Sequence, residues 1–360
     1  MTSDKSKTGG IKSVLTKKMA TGTILSVLFA SFFVGNLVTL PAMADNGNST
    51  ASNGQSNVQQ LKQQLKQDQN AYKLALQQEQ NSTKQARETL KQTLQQDTQT
   101  YKQAVQQAQT TYQQAVQNSV LAYKQAAQNA ELAQDQAIEQ ARSAYTSVEH
   151  AANGSVTAIG SAMATRDQSI ATANNAQTNA IVAAQVTRDK AEYDAWATHQ
   201  STVYSALATR DGADGTARAA FYTAIGNSTL ATRAQTVGQA HVTADNSISQ
   251  ARQTRIAAVE NSYVTREQAI GTAETTYVNA EASAKATLDN GYAHDGKSWN
   301  TALQAYWNSV ATLKQTEDNA IAQANAAQTT AAGTADATRD QTIDQAYATM
   351  YGAIATAYSS

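Results

Sequence analysis

The chain of 360 residues contains no cysteine and a single proline, Pro41. The first absence excludes disulfides, thiolate metal sites and a lipid-modified N-terminal cysteine. The second points to helix. Proline costs about 3 kcal/mol inside a helix, and loops usually recruit it. A chain that avoids it from residue 42 onward therefore reads as helical nearly everywhere. Charge is also sparse, with 15% Asp, Glu, Lys and Arg and a net charge of −1. Beyond residue 44 the balance is mildly acidic, 22 Lys and Arg against 27 Asp and Glu, so there is no electrostatic case for nucleic acid or for an anionic membrane surface. Histidine appears four times, at His150, His199, His241 and His294, with no metal-ligand spacing between any two. Each reads as a solvated or seam-edge substitution. The acids are scattered singly along the sequence, without a carboxylate pair suited to acid–base work. No glycine-rich phosphate loop occurs, and DGADG at 211–215 lacks the alternating acids and terminal Glu of a calcium loop. The sequence thus offers no catalytic residue, no cofactor-binding residue and no metal ligand, and the reading is non-enzymatic.

Long apolar runs are missing too, except near the N-terminus. Lys5, Lys7, Lys12, Lys17 and Lys18 precede the stretch TGTILSVLFASFFVGNLVTL at 21–40. Pro41 follows, and then Ala42-Met43-Ala44, where Ala42 and Ala44 supply the small-x-small pattern of a signal-peptidase site. Residues 1–44 read as a signal peptide and the protein as exported: secreted, at the cell surface or in the periplasm. An uncleaved membrane anchor is the competing reading, since about twenty apolar residues span a bilayer. Pro41 and the AMA site favour cleavage. Membrane contact is expected only if this segment is retained. Residues 45–57 (DNGNSTASNGQSN) have the composition of a flexible linker.

What is abundant is an eleven-residue pattern. Tyr101, Tyr112 and Tyr123 open the units YKQAVQQAQTT, YQQAVQNSVLA and YKQAAQNAELA. Eleven residues make almost three helical turns, so each unit returns its residues to one face. Positions one, four, five and eight form a helix-packing seam with the i, i+3, i+4, i+7 spacing. The seam comprises Tyr101, Ala104, Val105 and Ala108, then Tyr112, Ala115 and Val116, then Tyr123 and Ala126, and later Ile138. Small residues let helices approach closely, and tyrosine fills the gaps. Because Ala contributes little per residue, stability must accumulate over length. Trp299 and Trp307, eight residues apart on one helix face, read as bulky anchors between helices.

An earlier block has the same period, opening at Leu61, Tyr72 and Thr83. Downstream, Thr-Arg recurs at Arg166, Arg188 and Arg210, and again at Arg233, Arg255, Arg266 and Arg339. Arg takes the unit position held upstream by Tyr. Its plain reading is a seam-edge residue making ordinary surface pairs, each worth under about 1 kcal/mol. Turn signals stand at Asn153-Gly154, at 211–215 and at 290–296. They predict helices at 58–152, 155–210, 216–289 and 297–358, the first about 140 Å long. A hairpin is favoured at Asn153-Gly154, while the other two sites are left open between hairpins and flexible points. Asn48, Asn81, Asn153 and Asn227 fit the Asn-x-Ser/Thr pattern, which has meaning only in a cell that glycosylates exported chains.

The expected fold is all-α, with long, nearly straight hendecad helices forming an elongated coiled coil or antiparallel bundle. The mature chain divides into a Gln/Ala-rich helix at 58–152 and an Ala/Thr-rich repeat region at 153–360. The expected role is a structural one, as a rod, stalk or filament subunit partnered by itself or by other helical chains. A periplasmic spacer held by an uncleaved N-terminal helix is a variant of this reading. Units such as YKQAAQNAELA and RDQTIDQAYAT also resemble those of late embryogenesis abundant desiccation proteins and, loosely, of lipid-surface apolipoproteins. That resemblance implies a helix formed only on drying or on lipid, as a protectant or lipid-surface binder. The chain departs from it in carrying fewer Lys and Glu and in keeping Tyr and Trp on the seam.

Overall fold

In the computed structural model the described residues are 50–292 and 296–359, with side chains described over 59–291 and 299–359. The segment read as a signal peptide, 1–44, lies outside them. The architecture is all-α. Four helices follow one another: α1, Thr50–Ala151; α2, Val156–Ala224; α3, Ser228–Tyr292; and α4, Gly296–Ser359. α1 begins inside the stretch read as a linker. The chain divides into two compact units, Met1–Leu74 and Ala75–Ser360. Every described side chain of the first unit, from residue 59, is exposed, with Leu61, Leu65, Tyr72 and Leu74 each more than half accessible.

In the second unit, successive helices pack antiparallel. Beside the first turn Tyr145 of α1 meets Arg166 of α2, and far from it Tyr101 meets Arg210. α2 packs on α3 from Asp167–Lys285 to Gly215–Gly238, and α3 on α4 from Tyr306–Glu281 to Arg233–Tyr358. α3 lies between α2 and α4 and holds the most deeply buried apolar side chains: Ala244, Ile248, Ile256 and Val259. The core is otherwise chiefly alanine, as close helix approach requires.

The turns follow local chemistry. At the first, Asn153 (φ 46°) and Gly154 (φ 81°) take left-handed backbone, and Ser155 Oγ caps α2 by accepting from the Ala158 N–H. At the second, Gly226 has φ 74°, and the Asn227 N–H donates back to the Tyr222 carbonyl at 2.8 Å. This is the six-to-one bond that closes a helix on glycine. Asn227 Oδ1 then accepts from the Leu230 N–H at 2.9 Å and caps α3.

Here the structure differs from the sequence reading. Residues 211–215 are not a break, and α2 runs through them to Ala224. Their glycines serve packing. A Cβ on Gly215 would stand 2.8 Å from the Gly238 Cα, and one on Gly212 would stand 3.2 Å from Val242. The reversal occurs ten residues later, at 225–227. α3 ends at Tyr292 and α4 starts at Gly296, so the turn signal at 290–296 falls on and around residues that are not described.

Candidate functional site

The chemistry of this protein lies between its helices. Tyr101, Tyr112, Tyr123 and Tyr145, all half-buried on α1, face Arg210, His199, Arg188 and Arg166 of α2 in reverse order. The three guanidinium carbons stand 4.8–5.0 Å from their ring centroids, and the Tyr112 and His199 rings are 5.7 Å apart. Between them, Gln134 donates to Asn174 at 2.9 Å where the Tyr series is interrupted. Each Arg is fixed from its own helix, since Nε donates to the carboxylate of the next residue: Asp167 (2.7 Å), Asp189 (2.8 Å) and Asp211 (2.8 Å). The preceding Thr165, Thr187 and Thr209 return their hydroxyls to carbonyls one turn back. The Thr-Arg-Asp triplet is thus a unit: one hydroxyl satisfied locally, one cation held over a ring, one carboxylate holding the cation.

The other two seams carry related pairs. Arg252 lies over Tyr204 (5.3 Å) and Arg255 over Trp196 (5.2 Å) between α3 and α2. Between α3 and α4, Arg255 donates to Asp336 at 2.7 Å, Arg266 to Asn325 at 2.5 Å, and the Lys314 ammonium stands 5.8 Å from the Tyr277 ring. Arg266 also pairs with the adjoining Glu267. Burial against α3 pushes the Tyr193 hydroxyl up to about 12.

One step round α2 from the arginines, two of their aspartates, Asp167 and Asp211, face α3 and meet other acids. Asp167 lies against Asp289, with Lys285 Nζ 2.9 Å from Asp167 Oδ2. Asp211 lies near Asp245, with His241 Nδ1 3.9 Å from Asp211 Oδ2. Burial, then the neighbouring Asp167, raises the Asp289 carboxyl to about 6. Burial, then Asp211, raises Asp245 to about 6 as well. Burial alone would also raise Asp167, but hydrogen bonds from Arg166 and Lys285 outweigh it and hold that carboxyl below its ordinary value.

The seam residues expected from sequence fall as follows. Ala108 is buried, and Tyr101, Ala104, Val105, Tyr112, Ala115, Val116, Tyr123, Ala126 and Ile138 are half-buried along the α1 face that meets α2. Trp299 is half-buried on α4. Trp307 is 60% exposed and touches Tyr306 edge-on, so it is not an anchor between helices. The facing of Tyr by Arg and the acid pairs were not foreseen. The signal for both was present in the common eleven-residue spacing of Tyr101 onward and Arg166 onward.

Among the described residues no group of three or more His, Asp or Glu could hold a metal ion, and no helix is long and apolar enough to cross a membrane. One groove, between α3 and α4, is lined by Thr, Gln, Ala, Ser and Met side chains. No known protein family, curated protein or solved structure matches the chain.

Proposed function

We propose that this protein is an exported, non-enzymatic structural protein built as a hendecad coiled coil, serving as a rod, stalk or filament subunit at the cell envelope or outside the cell. The observation that carries the reading is the rung-by-rung meeting of the Tyr series of α1 with the Arg series of α2. Facing residues lie eleven or twenty-two apart on both helices, which is what packing along a shared hendecad seam requires. Conserving such a register over this length has value for a mechanical or spacing task and none for building a pocket. Export rests on the basic and apolar segment ending at Ala44.

The test is far-UV circular dichroism of the chain from Asp45 onward in dilute buffer. Strong helicity with a cooperative melt that rises with protein concentration supports a paired, self-associating coiled coil. A largely disordered spectrum that turns helical only on drying or with lipid vesicles would overturn it in favour of a conditional helix acting as protectant or lipid-surface binder.

A further inference from the structure

Two of the acid pairs between α2 and α3 are copies of one arrangement. Tyr145, Arg166, Asp167, Lys285 and Asp289 form the first. Tyr101, Arg210, Asp211, His241 and Asp245 form the second. Each member of one set lies forty-four residues, or four eleven-residue units, from its counterpart. In both, an α1 tyrosine underlies an α2 arginine, the arginine holds an α2 aspartate, and an α3 base reaches that same aspartate. The α3 aspartate opposite receives neither cation directly.

Burial makes this asymmetry consequential. Asp289 is 2% exposed and Asp245 8% exposed, and Oδ2 of each lacks a hydrogen-bond partner among the described residues; Asp167 Oδ2 lacks one as well but has the Lys285 ammonium at 2.9 Å. A buried carboxylate without donors is strongly disfavoured, whereas a protonated carboxyl can donate to the carboxylate beside it. Two buried acids side by side are therefore stable with one proton between them.

We infer that the α2–α3 seam is a proton-operated latch: Asp289 holds a proton that lets it lie against Asp167, Asp245 holds one that relieves its repulsion from Asp211, and losing these protons leaves paired anions in buried space and loosens the seam. Other groups facing these pairs act around the latch. At the first they are Arg166, Lys285 and, from α1 and α4, Tyr145 and Tyr306. At the second they are Arg210, His241, Tyr204 and Asp214, with Tyr101 and Asp97 of α1 and Tyr347 of α4 beyond them. His241 stands beside Asp211 where Lys285 stands beside Asp167.

The sign follows from linkage. Carboxyls raised on folding bind more protons in the folded state, so stability falls as pH rises from the ordinary carboxylate range through about 6. The experiment is thermal unfolding of the full chain, with chelator present, between about pH 5 and about pH 7.5. The wild type should melt several degrees lower at the upper pH. The double variant Asp245→Asn, Asp289→Asn keeps a neutral donor at each site, so it should lose a large part of that slope, the remainder coming from the raised Asp214, Glu260 and Glu274, and out-melt the wild type at the upper pH. An undiminished slope in the folded double variant, or a flat wild-type profile, overturns the latch. Added calcium that raises the melt and removes the pH dependence would also overturn it, marking the pairs as cation sites. Should the double variant fail to fold, infrared titration of the wild type still decides. A protonated-carboxyl band that persists to about pH 6, above the range of ordinary carboxyls, and is gone at the upper pH supports the latch, and its absence at about pH 6 refutes it.

Discussion

At the scale of single residues, the Thr-Arg-Asp triplet makes one cation serve two helices. Arg188 lies over Tyr123 while its neighbour Asp189 fixes the fork, so the guanidinium is ordered before the ring arrives. Pre-ordering reduces the side-chain entropy lost on pairing, which is what makes isolated surface pairs weak. Tyr123→Leu, which keeps the apolar bulk and removes the aromatic face, should destabilise by about 0.5–1 kcal/mol. Arg188→Gln should lose a similar amount, and a double-mutant cycle should show the two losses largely shared. Additive losses would mean that the ring and the guanidinium merely sit side by side. A second residue-scale expectation concerns acid. Asp167 is held below its ordinary value by Arg166 and Lys285, so its contribution is present above the ordinary carboxylate range and is lost as pH falls beneath it. Lys285→Met should therefore weaken the fold at neutral pH and flatten the loss of stability on acidification, read by melting temperature at the acid end.

At the scale of elements, the same amino acid does opposite jobs. Gly226 supplies the left-handed backbone that ends α2, while Gly215 and Gly238 supply nothing but the absence of a Cβ where two helices touch. Gly333 lies inside α4 with nothing within 4 Å of an added Cβ. Substitution by alanine separates the three uses. Gly333→Ala should stabilise by about 0.5–1 kcal/mol through helix propensity alone. Gly215→Ala should destabilise by about 1–3 kcal/mol, because backbone stands in the way and cannot yield as a side chain does. Gly226→Ala should also destabilise, through backbone strain. Thermal melts of the three variants check all of this, and a stabilised Gly215→Ala would mean that the helices stand further apart than described.

This duality explains how much could be read in advance. The α1 seam was legible because Tyr, Ala and Val recur at fixed places, and helical geometry converts that spacing directly into a face. The turn at 225–227 is not legible in the same way, because Asn227-Ser228-Thr229 matches a glycosylation pattern as well as a helix cap and only the fold shows the cap. The glycines at 212 and 215 were weighed as a break because sequence does not distinguish a glycine needed for its backbone from one needed for its smallness. Arg166, Arg188 and Arg210 were correctly placed on a seam, but their partners were not named. A face follows from one helix, whereas a facing pair needs the register between two. The acid pairs failed to appear for the same reason, since Asp167 and Asp289 are far apart in the chain and neighbours only across the seam.

At the scale of the whole molecule, accessibility divides the chain unevenly. Every described side chain from 59 to 82 is exposed, whereas half-buried positions recur from Thr83 onward. Such a stretch opens at little free-energy cost compared with paired helix. Brief digestion with a lysine-specific protease should cut after Lys62, Lys66 and Lys73 well before Lys124 or Lys190, as mass spectrometry of the first fragments would show. Early cleavage at the later lysines would contradict the pairing of α1 with α2.

The matched spacing of facing rungs also bears on how this protein can change size. Tyr on α1 and Arg on α2 both advance in elevens, so inserting one unit into a single helix would slide half of its rungs past their partners. Inserting one unit into every helix at the same level would restore them all. The only neutral changes of length are therefore concerted ones in whole units, and the dimensions of the paired region form a discrete series rather than a continuum.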